Sequence, residues 1–203
     1  MRDELITDLN RNKSAFGFEL DDRQLCRLAD YYALVQEHNS ILHLVGRSTA
    51  GEFATRHILE SLTLLKHLPQ DAKIADVGTG AGLPSIPCLL VRDDLKAILI
   101  ESKEKKASFL NEALTALKLT SRATVVNRQY SEADAGDCEF VTCRALDKFT
   151  ETLPKLIKWS APRAMLLFAG PALREALQKN RVSFAEELMP LSRERFLFVS
   201  RRS

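Results

Sequence analysis

The 203-residue sequence lacks any pair of cysteines at the C-x-x-C spacing typical of zinc and redox sites. Cys88 and Cys143 lie in apolar stretches, where a free thiol packs as a small hydrophobic side chain. His38, His43 and His67 have no metal-like spacing with one another or with the cysteines. The sequence therefore predicts no bound metal, and its reduced thiols are typical of a cytoplasmic protein.

The sequence also lacks a run of about 18 apolar residues, which a membrane-spanning helix requires. Its beginning, MRDELITDLN, is acidic and polar, unlike a signal peptide. No internal repeat and no low-complexity segment occurs. These absences predict a cytoplasmic protein with no membrane partner.

Charge of one sign is not in excess, because 29 lysines and arginines stand against 27 aspartates and glutamates, for a net charge of +2. That balance neither requires nor excludes a nucleic-acid partner, since phosphate binding depends on a local basic patch. Hydrophobic residues make up 45% and charged residues 28% of the chain, as in ordinary globular domains. We expect a single globular unit of this length to be a monomer.

Residues 21 to 68 have the apolar periodicity of two helices. The apolar stripe of the first helix includes one amide side chain, Asn39. The second helix begins near Glu52 and is ended by Pro69. We predict that residues 1–70 form an N-terminal helical cap, which packs on the main domain.

From Lys73 onward, short apolar runs alternate with helical patterns. Five runs predict buried strands, at 73–77, 97–101, 123–127, 139–143 and 164–169. Helical patterns occupy 83–91, 103–118, 148–160 and about 171–180. The final segments VSFAEELMPL and ERFLFVS predict a strand pair that completes the sheet. The alternation predicts an α/β domain over residues 71–203, with a mostly parallel seven-stranded sheet and helices on both faces.

A glycine-rich turn, DVGTGAG, follows the first predicted strand. Such a turn between a strand and a helix lets the backbone approach a ligand and aims free N–H groups at it. Its alternating glycines are Gly78, Gly80 and Gly82. Leu83 stands where a dinucleotide-binding pattern has its third glycine, and the carboxylate of Asp76 would repel a pyrophosphate. The D-x-G-x-G-x-G form resembles motif I of Rossmann-like S-adenosylmethionine methyltransferases, whose cofactor has a cationic sulfonium and an ammonium group.

Charged residues also mark the end of the second predicted strand. Glu101 ends this strand, where a carboxylate can accept both ribose hydroxyls of NAD or of S-adenosylmethionine. Lys103, Lys105 and Lys106 then begin a helix, where positive charge opposes the helix dipole. These lysines form either a solvated face or a contact to an anionic partner. The same two interpretations apply to Arg193, Arg195, Arg201 and Arg202 near the C-terminus.

Four segments together resemble the bacterial 16S rRNA guanine-N7 methyltransferase G family, also called glucose-inhibited division protein B. They are RHILES (56–61), DVGTGAGLPSIP (76–87), ESKEKKASFL (101–110) and CRALDKF (143–149). The resemblance implies a Rossmann-like methyltransferase fold with S-adenosylmethionine as the cofactor. It further implies methylation of N7 of a guanine in the 530 loop of 16S rRNA, with the rRNA or the small ribosomal subunit as partner.

The resemblance also implies roles for individual residues. On matching positions, the family's cofactor contacts fall on Gly78, Leu83, Gln129, Tyr130 and Arg144, and its other conspicuous polar positions on Asn39, Arg56, His57 and Arg128. Arg128 and Arg144 follow the third and fourth strands, at the sheet edge that faces the ligand crevice. We interpret Arg144 as a contact to cofactor or target base, Arg128 as a phosphate contact, and Asn39 as either a structural plug or a substrate-orienting amide. Ala169 replaces the lysine with which the family ends its fifth strand.

No Ser/His/Asp or Cys/His constellation occurs, and methylation of guanine N7 does not require one. N7 carries a lone pair without losing a proton, so the enzyme has to hold it in line with the methyl group at about 3 to 3.5 Å. Two alternatives stay open: a small-molecule methyltransferase of the same fold, and a non-catalytic ribosome- or RNA-binding relative. A NAD-dependent oxidoreductase is disfavoured by Leu83.

Overall fold

The computed structural model describes residues 1–144 and 149–200, and its first part is helical. Helix α1 is Arg2–Asn12, a 3₁₀ turn covers Lys13–Phe16, and helix α2 is Asp22–Leu42. Helix α2 begins at a capping box in which the Asp21 carboxylate accepts from the Gln24 N–H at 2.7 Å. The predicted first helix is confirmed as α2. Helix α1 was not predicted, because the apolar pattern of this short segment is too weak.

The next helix, α3, spans residues 50–67 and changes its type along its length. It is α-helical at Ala50–Glu52, π-helical over Phe53–Leu59, α-helical again at Glu60–Leu62, and 3₁₀ over Thr63–His67. The predicted helix from about Glu52 to His67 is confirmed. Its π-helical segment was not predicted, and such segments are common at functional sites.

In the described part of the chain, seven strands form one sheet. They are β1 (Lys73–Val77), β2 (Lys96–Ile100), β3 (Ala123–Val126), β4 (Phe140–Cys143), β5 (Ala164–Ala169), β6 (Phe184–Leu188) and β7 (Phe196–Ser200). The order across the sheet is β3-β2-β1-β4-β5-β7-β6. Strands β1 to β5 are parallel, whereas β7 is antiparallel to both β5 and β6. The predicted seven-stranded, mostly parallel sheet is confirmed, including its final strand pair.

Helices between the strands cover both faces of the sheet. They are α4 (Ser85–Val91), α5 (Glu104–Ala116), α6 (Phe149–Ser160) and α7 (Ala172–Lys179). Side chains alternate between the faces of a strand. Leu99 accordingly packs in one hydrophobic cluster with α4 and α5, and its neighbour Ile100 packs in a second cluster with α6 and α7. The predicted start of α6 at Lys148 and the residues Arg201 and Arg202 lie outside the described residues.

The helices that precede β1 pack directly on the sheet domain. Leu5, Leu28 and Phe53 belong to the same hydrophobic cluster as Leu89 and Leu99. The division into a cap of residues 1–70 and a domain of residues 71–203 stays a prediction. Cys88 and Cys143 are buried, as predicted. No helix in the described segments is both long enough and apolar enough to cross a membrane.

Candidate active site

A cavity of about 600 Å³ lies at the edge of the sheet where β1 to β4 end. This edge is where open α/β sheets bind ligands, and the volume is typical of small-molecule sites. The cavity is lined by these residues from the predicted set: Gly78, Gly80, Leu83, Glu101, Gln129, Tyr130 and Arg144. Four other predicted residues, Asp76, Gly82, Asn39 and Arg128, are not among the lining residues.

The glycine loop after β1 has a left-handed backbone at all three alternating glycines. Gly82 has a φ of 92°, and a Cβ atom there would lie 2.3 Å from Cδ1 of Ile86 in α4. Gly82 therefore allows close packing of the helix against the loop. Gly80 has a φ of 57°, and a Cβ atom there would meet only the Gly78 carbonyl oxygen, at 3.9 Å. Gly80 therefore leaves the backbone open to a molecule in the cavity.

Asp76 lies beneath this loop, fully buried, and holds it from inside. Its Oδ2 accepts a hydrogen bond from Thr79 Oγ1 at 2.8 Å and another from the backbone N–H of Ser85 at 3.2 Å. Burial raises the pKa of Asp76 to about 7, although hydrogen bonds from Ser85 and Thr79 oppose that shift. The structure thus places Asp76 as a support for the loop, behind the cavity wall.

Tyr31 of α2 supports the loop from the other side, and sequence reasoning missed it. Its fully buried hydroxyl donates to the carbonyl oxygen of Ala81 at 3.0 Å. A signal was available, because Tyr31 lies three residues after Leu28 and four before Val35, on the same face of the helix. The tyrosine hydroxyl therefore ties α2 to the cavity wall.

Glu101 follows β2 and is 6% exposed. Its Oε2 accepts from the Gly80 N–H at 3.1 Å, and its Oε1 accepts from the Lys103 N–H at 2.8 Å. Each carboxylate oxygen can accept a second bond, so the group still has capacity for a ligand's two hydroxyls. The Asn127 side chain fixes the backbone here by donating to the Glu101 carbonyl oxygen at 2.9 Å.

Two further parts of the cavity wall are the segment after β3 and the segment after α2. Tyr130 lies in a 3₁₀ turn after β3, and its ring meets the Trp159 ring edge-on at 5.6 Å. Two hydrogen bonds hold the segment after α2. Asn39 Oδ1 accepts from the Val45 N–H at 2.9 Å, and Lys106 donates to the His43 carbonyl oxygen at 3.1 Å. Asn39 therefore shapes a segment whose residues 44–46 line the cavity.

Arg144, after β4, is held in a buried ion-pair cluster. Its Nη2 lies 3.0 Å from Oε2 of Glu60, and Nε of Arg195 lies 2.7 Å from Oε1 of the same carboxylate. Arg144 also donates to Ser61 Oγ at 3.1 Å and to the Arg56 carbonyl oxygen. The role of Glu60 was not predicted from the sequence, and Arg195 was predicted to lie either on a solvated face or at a contact to an anionic partner.

His57 lines the cavity beside this cluster. Burial lowers its pKa to about 3, and the positive charges of Arg144, Arg56 and Arg195 add to the shift. Its imidazole is therefore neutral at physiological pH. The side chains of Arg56 and Arg128 are exposed, as are those of Lys103 and Lys105.

The described residues include no group of three or more histidine, cysteine, aspartate or glutamate side chains placed to hold a metal ion. The cavity instead combines the glycine loop, the Glu101 carboxylate and the guanidinium-bearing Arg144. These groups suit an organic ligand that presents hydroxyls at one end.

Comparison with known proteins identifies similar sequences along most of the chain. The family model GidB, described as rRNA small subunit methyltransferase G, matches residues 24–197. A ribosomal RNA small subunit methyltransferase G of Sorangium cellulosum is 34% identical over 192 residues, which cover 92% of this chain and 78% of that protein. The same-named protein of Desulfotalea psychrophila is 30% identical over 214 residues, covering 98% and 99% of the two chains.

Among solved structures, a SAM dependent methyltransferase from Aquifex aeolicus superposes with a TM-score of 0.56. The match covers 73% of this chain and 92% of that one, at 16% sequence identity. At that identity the likeness concerns the fold alone. It agrees with the predicted Rossmann-like methyltransferase architecture.

The raised pKa of Asp76 predicts how stability depends on pH. Its ordinary value of 3.8 applies to the unfolded chain and about 7 to the folded protein, so folding takes up a proton between these values. The free energy of unfolding should therefore fall as pH rises from about 4 to about 7, by at most about 1.4 kcal/mol per pH unit. Asp76→Asn removes the charge and keeps an oxygen acceptor for Thr79 and Ser85.

The measurement is urea unfolding of wild type and Asp76→Asn at pH 5, 6, 7 and 8. The stability of the variant relative to wild type should increase from pH 5 to 7 and then level off. Titration of groups that do not interact with Asp76 cancels in this difference. A difference that is independent of pH would show that Asp76 does not titrate in this range.

Proposed function

This chain belongs to the rRNA small subunit methyltransferase G family, and we propose that it transfers a methyl group from S-adenosylmethionine to N7 of a guanine in the 530 loop of 16S rRNA. It is an rRNA methyltransferase by family. We propose in addition that the cofactor is S-adenosylmethionine, that the methylated atom is guanine N7, and that this guanine lies in the 530 loop. The observation that carries it is the buried Glu101 carboxylate beside the open backbone of Gly80.

The cavity residues fit S-adenosylmethionine in one orientation. Glu101 would accept the two ribose hydroxyls, as carboxylates at the end of the second strand do in nucleoside-binding sheets. Because β3 lies beyond β2 in the sheet, Gln129 and Tyr130 would border the adenine. Arg144 follows β4, on the opposite side of the glycine loop, so the methyl group would point toward it. When bound, the cofactor supplies an electrophilic methyl group.

The acceptor side suits an atom that attacks without losing a proton. His57 is neutral there, and the two oxygens of Glu60 are engaged by arginines. Guanine N7 needs no base, so these residues have to position the acceptor and not to take up its proton. A guanine in a loop presents accessible edges, unlike one within an RNA duplex.

Exposed cations near the cavity support an RNA acceptor. Arg56 is exposed on α3 next to the Arg144 cluster, and Arg128 is exposed after β3. Lys103 is also exposed and lines the cavity. Such side chains contact phosphates, which orient a nucleic acid without reading its sequence. Of these, Arg56 lies next to the Arg144 cluster and would hold the target nucleotide on that side of the cavity.

Gly80→Arg tests the cofactor site. The arginine side chain would enter the space beside Gly80 and should weaken S-adenosylmethionine binding by about 100-fold or more, measured by calorimetry. Gly17→Arg is the matched control, because Gly17 also has a left-handed φ, of 75°, and nothing lies within 4 Å of its Cβ position. Both variants should lose about 1 to 2 kcal/mol of stability through backbone strain. Equal cofactor affinity of the two variants would show that the site lies elsewhere.

Methyl transfer itself tests the acceptor. The protein and tritiated S-adenosylmethionine are incubated with 16S rRNA, or with 30S particles, that lack the modification, and the product is mapped for 7-methylguanosine. We expect label at one guanine of the 530 loop. Tight cofactor binding without label in RNA would instead favour a small-molecule acceptor, an alternative prompted by Ala169 at the end of β5. Absence of both binding and label would favour a non-catalytic relative.

A further inference from the structure

We infer that Glu60 and Arg195 are positioning residues, which hold the guanidinium of Arg144 at the acceptor side of the cavity. Through them, the C-terminal hairpin of β6 and β7 sets the orientation of a residue that follows β4. The inference rests on the proposed function, because it takes this cavity as the place of methyl transfer. It adds two residues outside the cavity lining to the residues on which the reaction depends.

Glu60 is the centre of the cluster. It is 2% exposed, and each of its two carboxylate oxygens is bonded to a different arginine. A buried carboxylate is costly unless it is paired, so Glu60 requires these guanidinium groups near it. In return, the carboxylate restricts where both of them can lie.

Arg144 is fixed by more than this one ion pair. Its three hydrogen bonds, to Ser61 Oγ, Glu60 Oε2 and the Arg56 carbonyl oxygen, use three of its five N–H groups. Its guanidinium carbon also lies 5.4 Å from the centre of the Phe168 ring. The N–H of Nε and one N–H of Nη1 lie outside these three bonds. A substrate that meets Arg144 therefore meets a guanidinium of set orientation.

Arg195 reaches Glu60 because of the register of the hairpin. It directly precedes β7, whose Phe196 pairs with Ala169 at the end of β5. This pairing brings Arg195 to the same sheet edge as the cavity. Its side chain is 38% exposed, so it connects the buried carboxylate with the surface.

Other contacts already attach the hairpin to α3. Lys66 and His67 both contact the Glu187 carboxylate, at 2.9 Å and 3.2 Å. Thr63 Oγ1 lies 3.6 Å from the sulfur of Met189, which is buried. The hairpin is thus anchored without Arg195. The bond from Arg195 to Glu60 is therefore not needed to attach the hairpin, and it serves to orient Arg144.

The first test compares Arg195→Met with a control in α7, Arg174→Met, whose ion-pair partner Glu186 lies in the hairpin. Arg174→Met removes an Arg–Glu bond of the same kind, from Nε of Arg174 to Oε2 of Glu186 at 2.7 Å, outside the cavity. We expect Arg195→Met to lower kcat for RNA methylation by about tenfold or more, with the Kd for S-adenosylmethionine unchanged. Arg174→Met should keep the wild-type kcat. Arg195→Lys should restore part of kcat, because an ammonium group still donates to Glu60.

A second readout needs neither RNA nor cofactor. In protein with ¹⁵N-labelled arginine, the Nε–H resonance of Arg144 should shift in Arg195→Met and stay in place in Arg174→Met. An unmoved Arg144 resonance would overturn the inference, whatever the wild-type protein methylates. If wild type methylates no RNA, the proposed function fails, and this spectrum alone decides whether the positioning cluster exists.

A third comparison separates orientation from stability. Glu60→Gln leaves two arginines without a carboxylate and should be strongly destabilised, whereas Glu60→Gln combined with Arg195→Met keeps the net charge of the cluster at +1. We expect the double variant to regain most of the unfolding midpoint but not kcat. Recovery of kcat together with stability, or a wild-type kcat in Arg195→Met, would show that the cluster is only structural.

Discussion

The shape of the cavity depends on the hydrogen bonds that the carboxyl group of Asp76 accepts beneath the glycine loop. It joins the loop, through Thr79, to the start of α4, through Ser85. Tyr31 fixes the same loop from α2. With the loop held from two sides, the N–H of Gly80 donates to Glu101, and the open backbone and this carboxylate, to which we assign the ribose, form one surface.

A second buried carboxylate, Glu60, organises the opposite side of the cavity through ion pairs instead of hydrogen bonds from neutral groups. Burial, with a smaller contribution from the charge of Glu101, raises the pKa of Asp76, and this group accepts hydrogen bonds from the neutral donors of Thr79 and Ser85. Glu60 is paired with two guanidinium groups, so the cluster of one carboxylate and two arginines carries a net positive charge. The glycine-loop side thus rests on a carboxyl group with a raised pKa, and the Arg144 side rests on a cationic cluster. A cationic acceptor side is suited to an RNA strand and not to a small cationic substrate.

Periodicity and local motifs predicted the sheet, its order of strands and helices, and the glycine loop with Glu101, because these features depend on neighbours in sequence. They could not predict that Asp76 points beneath the loop, since the same motif allows either direction. The bond between Arg195 and Glu60 joins residues 135 positions apart, and no local pattern records it. The π-helical segment of α3 was not predicted because its apolar residues also fit an ordinary α-helix.

We propose that this cavity holds the cofactor with its ribose at Glu101 and its sulfur toward Arg144. A crystal structure of the complex with S-adenosylhomocysteine would show this placement. We predict both ribose hydroxyls within about 3.2 Å of the Glu101 carboxylate and the sulfur on the Arg144 side of the glycine loop. A nucleoside bound on the Arg144 side, or a ligand outside the cavity, would show that this placement is wrong.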